Sequence, residues 1–117
     1  MCYNMGAMIT FADFNKLEIR VGKIILVEDL PNPHYATHQL TVDFGAQIGV
    51  KISCARLTNY SHDQLLGKLL IGVVNLPPKH IGKVLSEVLL LGTPDTSGDC
   101  ILICPDSPEA VLGERVY

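Results

Sequence analysis

The sequence has few charged residues and no long apolar run. Charged residues make up 18% of its 117 residues, whereas about a quarter is usual. No uninterrupted run of about 18 apolar residues is present, so the sequence predicts no membrane insertion. The first ten residues lack the basic segment and long apolar segment of a secretion signal. We therefore expect a cytoplasmic protein, and the low share of charge indicates that self-association covers part of its surface.

Aromatic residues are also scarce, because the chain has no Trp, four Tyr and three Phe. Proteins that read single-stranded nucleic acid usually stack bases on exposed aromatic side chains. Only Tyr35 and Tyr60 stand in predicted loops where they could do so. The composition thus argues against a sequence-reading single-strand binder and suits recognition of the shape and phosphates of a folded RNA.

The reactive residues form no recognisable catalytic or metal-binding motif. The cysteines, at positions 2, 54, 100 and 104, lack CxxC spacing, and we interpret them as small buried side chains in a reducing compartment. We interpret all four histidines as surface residues: His34, His38, His62 and His80. No nucleophile stands near a base in sequence, and neither a Gly-rich phosphate loop nor a carboxylate cluster is present. The sequence therefore predicts no enzyme activity, no metal and no cofactor.

The basic residues are concentrated in the middle of the chain. The formal net charge is −3, which argues against a protein that binds nucleic acid by its total charge alone. Residues 45–92, however, contain five basic and two acidic residues. An anionic partner is therefore expected to bind this part of the chain.

Apolar patterning predicts a single all-β domain over residues 9–117, preceded by a loose leader at residues 1–8. The first strand should be long, and Gly22 inside it predicts a bend or a bulge. A helix between the third and fourth of five strands is typical of the OB-fold barrel, and another small sandwich or barrel is the alternative. The predicted elements are a first strand at 17–29, a hairpin at 39–55, a helix after Ser61 that ends at Gly67, and strands at 69–75, 84–91 and 100–104.

Two further predictions concern the start of the domain. Thr10 should cap a helical turn in which Phe11 and Phe14 lie on one side and close an opening in the core. Arg20 should have a structural role and pair with an acidic residue such as Asp43.

Residues 75–90 join two apolar strands through a Pro-Pro turn. Two prolines cannot donate ladder hydrogen bonds, so they end the strand and stiffen its exit. The turn region carries an amide, two lysines and a hydroxyl, which belong to Asn75, Lys79, Lys83 and Ser86. Such a surface suits the binding of a polar polymer better than the making and breaking of bonds.

Each candidate binding residue also has an ordinary structural interpretation. Lys51 and Ser53 are expected on the outer face of the third strand, where they either bind phosphate and sugar oxygens or are simply solvated. The Asn75 amide either reads a base edge, binds a peptide backbone or caps the Pro-Pro turn.

The same holds for the remaining candidates. Lys79 and Lys83 either contact an anionic ligand or are ordinary surface lysines. The Ser86 hydroxyl either faces a groove or is satisfied within the sheet. Arg56 either stacks on a base or binds a phosphate with its planar guanidinium, or it pairs with an acid such as Asp63.

Several motifs resemble those of the tRNA-binding domain family, and the resemblance spans residues 9–117. Residues 13–24 (DFNKLEIRVGKI) resemble the opening of that domain. Residues 40–45 (LTVDFG) match its second strand, and residues 75–82 (NLPPKHIG) and 86–92 (SEVLLLG) match its fourth and fifth. The family includes the C-terminal appendage of methionyl-tRNA synthetases, stand-alone dimeric tRNA-binding proteins and the CsaA-type secretion chaperones. The Pro-Pro turn and the Val-Leu pair after Ser86-Glu87 make the chain most similar to the CsaA branch.

The resemblance implies an OB fold, a homodimer made through N- and C-terminal extensions, and tRNA as a partner. For the CsaA branch it also implies binding of unfolded or export-bound polypeptides, and the alternative is a peptide-binding secretion chaperone with no physiological RNA ligand. Family position favours Lys51 and Ser53 as ligand contacts. Two departures concern the RNA contacts, because Ile52 stands where a basic residue is frequent and Arg56 where a neutral amide is common.

Overall fold

The computed structural model describes residues 7–31 and 36–117. The predicted leader therefore lies outside the described residues except for Ala7 and Met8, which belong to no helix or strand. His34 and Tyr35, which we expect in a loop, and Cys2 also lie outside the described residues.

Short helices and strands make up the described part of the chain. Its helices are α1 (Phe11–Phe14), α2 (Gly45–Ile48) and α3 (His62–Leu65). Its strands are β1 (Ile19–Asp29), β2 (His38–Asp43), β3 (Val50–Ala55), β4 (Leu69–Val73), β5 (Lys79–Ile81), β6 (Val84–Ser86), β7 (Leu89–Leu90), β8 (Gly92–Pro94) and β9 (Cys100–Leu102). None of these described helices is long and apolar enough to cross a membrane.

Five of the strands form a nearly closed antiparallel barrel. Their order is β3-β2-β1-β4-β7, and α3 lies in the chain between β3 and β4. The remaining strands form two small sheets, in which β5 pairs with β6 and β8 pairs with β9. The prediction of an all-β OB-type barrel with a short helix between its third and fourth strands is confirmed.

The barrel closes around an apolar core that follows the predicted alternation. Leu40, Val42 and Phe44 are fully buried, whereas the residues between them are only half-buried. Removing one such side chain from water contributes about 1.5–3 kcal/mol to stability. Leu65 of α3 is also fully buried and packs in the same cluster, so the capped helix that begins after Ser61 covers part of the core.

The sequence predicted a bend or a bulge at Gly22, but the bulge of β1 lies elsewhere. The register between β1 and β2 shifts between Ile24 and Leu26, so the bulge follows Gly22 by a few residues. A Cβ atom at position 22 would lie 2.7 Å from side-chain atoms of both Val42 and Phe44. Gly22 is therefore required because the core packs directly on the β1 backbone.

The predicted fifth strand is interrupted. In place of one strand over residues 84–91 the chain forms β6 and β7, with Glu87 and Val88 between them. The residues after the Pro-Pro turn are not a simple polar turn either, since they form β5. In that hairpin Lys79 lies opposite Ser86, and Gly82 with its positive φ of 62° lies in the turn.

Thr10 caps α1 as predicted, but the two aromatic residues of that helix do not close the core. The Thr10 hydroxyl accepts a hydrogen bond from the Asp13 backbone, and the Asp13 carboxylate accepts one from the Thr10 backbone. Phe11 is 74% exposed and stacks on Phe14 with ring centroids 6.2 Å apart. This aromatic pair therefore leaves an apolar surface outside the barrel.

The two ends of the described chain meet beside β1. Residues 113–116 run along the first half of β1, where Val21 N–H donates to the Glu114 carbonyl at 3.1 Å. Arg20 has the predicted structural role with a different partner, because it pairs with Glu18 at 2.7 Å and donates to the Gly113 carbonyl. Asp43, the predicted partner, accepts instead from the Gly45 backbone.

Candidate polymer-binding groove

A groove of about 370 Å³ lies between β3 and the chain that follows β4. Its walls include residues 53–55 of β3 and residues 86–90. The segment around the Pro-Pro turn contributes Leu76, Pro77 and Lys79. Most of the lining side chains are apolar, and Lys79 supplies a positive charge at the wall. Such a groove is suited to a ligand that has both an extended apolar part and an anionic or polar part.

One backbone bond and three side-chain bonds, and not a regular ladder, join residues 52–54 of β3 to residues 86–88. We refer to these contacts as the seam. Glu87 N–H donates to the Ile52 carbonyl at 2.7 Å, and the Glu87 carboxylate accepts from Ile52 N–H at 3.0 Å. The Ser86 hydroxyl accepts from Cys54 N–H at 3.1 Å. The Ser-Glu pair therefore satisfies amides of β3 that would otherwise be exposed at a sheet edge. The Ser86 hydroxyl is therefore satisfied by the backbone of β3, but Ser86 also lines the groove, and its contact with a ligand stays a prediction.

Ser53 does not lie on an outer face with Lys51, so that prediction is wrong. Its residue is 2% exposed, and its hydroxyl donates to the Val88 carbonyl at 2.9 Å across the seam. The neighbours of Ser53 on the strand, Ile52 and Cys54, are only half-buried. Ser53 can be the buried residue of the three because its hydroxyl is hydrogen-bonded. Ser53 does line the base of the groove, and its contact with a ligand stays a prediction.

The cationic candidates lie on β3, directly after it, and on the β5–β6 hairpin. Lys79 lines the groove, and Lys83 is exposed in the turn of the same hairpin. Lys51 is half-buried on β3, and Arg56 is exposed directly after that strand. The structure therefore brings Lys79 together with Ser53 and Ser86, and the other cations are carried by the two elements that flank them.

Asn75 connects the end of β4 to the chain before β1. Its side-chain oxygen accepts from Glu18 N–H at 2.9 Å, and its side-chain nitrogen donates to the Lys16 carbonyl at 2.7 Å. The amide thus caps backbone groups, as one interpretation predicted, but those groups belong to the α1–β1 connection and not to the Pro-Pro turn. Asn75 does not line the groove, and a role in binding stays a prediction.

Of the two tyrosines predicted as candidates for base stacking, Tyr60 lies in the described part of the chain, where its side chain packs within the protein. Its hydroxyl accepts from Leu102 N–H at 3.0 Å, and its ring packs against the core cluster. The Lys68 ammonium lies 5.7 Å from the ring centroid, so one face of the ring has a cation–π contact. Tyr60 is therefore used in packing, and whether the protein reads unstacked bases stays a prediction.

Cys54 is the one thiol that lines the groove among the described residues. Burial raises the pKa of the Cys54 thiol, and burial likewise raises the pKa values of Cys100 and Cys104. All three are free thiols of intermediate burial. A raised pKa keeps a thiol protonated at neutral pH and therefore weakly nucleophilic.

Sequence reasoning missed a cluster on a different part of the barrel, formed by Asp29, His38 and His62. His38 is only 8% exposed, so its interpretation as a surface residue is wrong. The three residues are far apart in sequence and meet only because β1 pairs with β2 and α3 packs on β1. A spacing pattern therefore could not reveal them.

Comparison with known families gives a match over most of the chain. The model of a family described as "Putative tRNA binding domain" matches residues 19–115. This range includes both the seam and the groove. It begins at the first residue of β1 and ends in the tail that runs beside that strand.

Curated relatives with similar sequences are methionine–tRNA ligases. The enzyme of Pyrococcus horikoshii is 37% identical over 108 residues, which is 92% of this chain and 14% of that protein. The enzyme of Nanoarchaeum equitans is 33% identical over 109 residues, with 93% of this chain and 14% of that protein covered. The chain therefore spans only a small fraction of the length of these enzymes.

Solved structures with the same fold include two chaperones. The CsaA chaperone protein from Picrophilus torridus superposes with a TM-score of 0.86 and 42% identity, covering 94% of this chain and 100% of that one. The chaperone CsaA from Bacillus anthracis gives a TM-score of 0.82 and 37% identity, covering 95% and 100%. These proteins match the chain over their whole length.

Proposed function

Since this chain belongs to the tRNA-binding domain family, we propose that it binds tRNA and catalyses no reaction. The observation that carries this proposal is the family match over residues 19–115. Binding would rest on phosphate and sugar contacts, which depend little on base sequence. The low number of aromatic residues in the sequence and the use of Tyr60 in packing support this mode.

The cations around the groove are the proposed phosphate contacts. Lys79 and Lys83 extend from the β5–β6 hairpin, while Lys51 and Arg56 belong to or follow β3. A lysine acts on a phosphate as a mobile point charge, whereas an arginine can bind it with two parallel hydrogen bonds. Both elements flank the same groove, so one RNA backbone could contact cations from both walls.

Equilibrium binding of tRNA to the full chain at several salt concentrations tests this proposal. Affinity should fall steeply between about 50 and 200 mM salt, because each phosphate contact releases counterions. The double substitution Lys51→Ala, Lys79→Ala should weaken binding of different tRNAs equally and lower the log–log salt slope by about one unit per lost contact.

The matched control is Lys23→Ala, compared with the single substitution Lys79→Ala. Each removes one exposed positive charge, and Lys23 lies on β1 outside residues 45–92. If Lys79→Ala and the double variant bind tRNA as tightly as the original chain, the groove is not the RNA site. If Lys23→Ala and Lys79→Ala lose affinity equally, net charge and not the groove accounts for binding.

We also propose that the protein is a homodimer whose interface is the terminal face, defined as residues 8–17 and 111–117. Arg115 holds these segments together by donating to the carbonyls of Asn15 and Leu17. Several apolar side chains on the terminal face are at least 62% exposed: Met8, Ile9, Phe11, Val111 and Tyr117. Large exposed apolar side chains on two segments that contact each other are a common sign of a protein interface, and a second copy of the chain would cover them.

Light scattering tests the dimer. The expected mass is twice the 12.8 kDa of the chain, and Phe11→Ser should shift the protein toward the monomer. Leu26→Ser, which changes an exposed apolar residue of β1 outside the terminal face, should leave the dimer intact. A single-chain mass for the original protein at micromolar concentration would contradict the proposal.

A second candidate function is binding of unfolded or export-bound polypeptides, and it rests on the apolar lining of the groove. Val88, Leu89 and Leu90 line the groove beside Leu76 and Pro77, and Leu89 is 52% exposed. The structural relatives named as CsaA chaperones support this candidate. If polypeptides are its only ligands, the protein would be a secretion chaperone with no physiological RNA ligand.

Aggregation assays distinguish the two functions. Stoichiometric protein should keep unfolded export precursors soluble without ATP, and Leu89→Ser should reduce this effect more than Ile101→Ser, which changes an exposed apolar residue outside the groove. Competition between tRNA and peptide would show that the two ligands share one surface. If the protein suppresses aggregation at no ratio of protein to precursor, the chaperone proposal fails. The tRNA-binding proposal would not be affected by that result.

A further inference from the structure

Three potential metal ligands converge at the far end of the β1–β2 ladder. Asp29 is the last residue of β1 and pairs in register with His38, the first residue of β2. His62 begins α3. Asp29 Oδ1 lies 2.8 Å from His62 Nε2 and 3.8 Å from His38 Nε2. The donor atoms of all three residues lie within 4.8 Å of one another.

Hydrogen bonds on the far side of the His38 ring orient it for ligation. His38 Nδ1 lies 2.7 Å from the hydroxyl oxygen of Thr37. That oxygen accepts a hydrogen bond from Leu57 N–H at 2.8 Å. It also lies close enough to the Ala55 carbonyl to donate a hydrogen bond to it. When the Thr37 hydroxyl donates to Ala55, Nδ1–H of His38 donates to Thr37, and the Nε2 lone pair is directed toward Asp29. Metal-binding histidines usually have this arrangement, with one ring nitrogen fixed by a second partner.

The three positions differ in burial in a way that suits a partly open site. The His38 side chain is 10% exposed, whereas those of His62 and Asp29 are 48% and 76% exposed.

The spacing of the donor atoms is close to that of a tetrahedral zinc site. Bonds of about 2.0–2.1 Å to nitrogen and oxygen place neighbouring donors about 3.3 Å apart. The two distances from Asp29 Oδ1, 2.8 and 3.8 Å, lie on either side of that value. Because Asp29 and His62 are exposed, small side-chain rotations can adjust both distances without moving the buried His38.

We propose that Asp29, His38 and His62 bind one divalent transition-metal ion, for which Zn²⁺ is the best match. Two imidazole nitrogens and one carboxylate oxygen are ligands that Zn²⁺ accepts, and the exposed side leaves a fourth position for water. Nothing in the tRNA-binding or chaperone proposals requires this site. A bound ion would join the end of β1, the start of β2 and the start of α3, so it would act as a cross-link between three elements.

Calorimetric titration of the chelator-treated full chain, with its affinity tag removed, tests the proposal with Zn²⁺ as the probe. The original chain should bind one ion, and His62→Ala and Asp29→Asn should each weaken binding at least about tenfold. Both of these residues are exposed, so the variants should fold even if a His38 variant does not. Asp63→Asn and His80→Ala, which remove a neighbouring carboxylate and a distant histidine, should bind as the original chain does.

Two further measurements distinguish this site from metal binding elsewhere on the protein. Zn²⁺ should raise the unfolding temperature of the original chain more than that of His62→Ala, because binding to the folded state alone stabilises it. Co²⁺ bound at the same site should show no thiolate charge-transfer band. Three results would each overturn the proposal: no stoichiometric binding by the original chain, the original chain's affinity retained in His62→Ala and Asp29→Asn, or a thiolate band with Co²⁺. Asp29 and His62 would then be a simple hydrogen-bonded pair.

Discussion

The β1–β2 ladder and the seam close the same barrel by different means. Along β2 the backbone pairs residue by residue with β1 and β3, and every second side chain is buried. At the seam, the hydroxyls of Ser53 and Ser86 and the carboxylate of Glu87 make the bonds that a ladder would otherwise make. The ladder is stabilised mainly by apolar burial, and the seam by a few polar bonds. The groove lies at the seam.

Removing apolar volume from the β1–β2 ladder should have the largest effect. Leu40→Ala deletes a fully buried side chain of β2 and should lower the free energy of unfolding by about 2–5 kcal/mol. Val50→Ala, at a position that is 53% exposed on β3, should change it by less than about 0.5 kcal/mol. Chemical denaturation measures both. Equal effects would show that burial does not distinguish the two positions.

Removing the Glu87 carboxylate should weaken the seam by an intermediate amount. Glu87→Ala leaves Ile52 N–H without its side-chain acceptor, and an unsatisfied donor costs about 1–3 kcal/mol. Glu87→Gln keeps an acceptor oxygen and should restore most of the loss in denaturation experiments. If Glu87→Gln is as unstable as Glu87→Ala, the bond to Ile52 is not what matters.

Removing the Ser53 hydroxyl should have the smallest effect of the three. Ser53→Ala deletes one buried bond to the Val88 carbonyl and should cost about 1 kcal/mol. Ser97→Ala, an exposed position in a turn, is the matched control and should be neutral. A stabilising effect of Ser53→Ala would show that the buried hydroxyl is retained for ligand binding and not for closure.

The same contrast explains which features the sequence could predict. Leu40, Val42 and the cap at Ser61 follow local rules of alternation and capping, so the barrel order and the helix between its third and fourth strands were predictable. The burial of Ser53 was not, because it depends on a carbonyl 35 residues away in sequence. A serine between apolar neighbours carries no local sign of that bond.

In the candidate site, too, some residues were predictable from their local sequence and others were not. Lys79 and Lys83 were recognisable because they flank a glycine turn after two prolines, and they are exposed there. Asn75 could not be assigned from its position, since its partners Lys16 and Glu18 belong to a distant segment. The interruption of the fifth strand was also hidden, because residues 84–91 are almost uniformly apolar and resemble one continuous strand.

Amide chemical shifts measured while tRNA is added to the isotope-labelled protein test most directly that the groove is the binding surface. We predict shifts concentrated in residues 50–56 and 76–90, with those of Lys79 and Lys83 among the largest, and small changes along β2. Shifts confined to the β1–β2 ladder or to the terminal face would contradict this account.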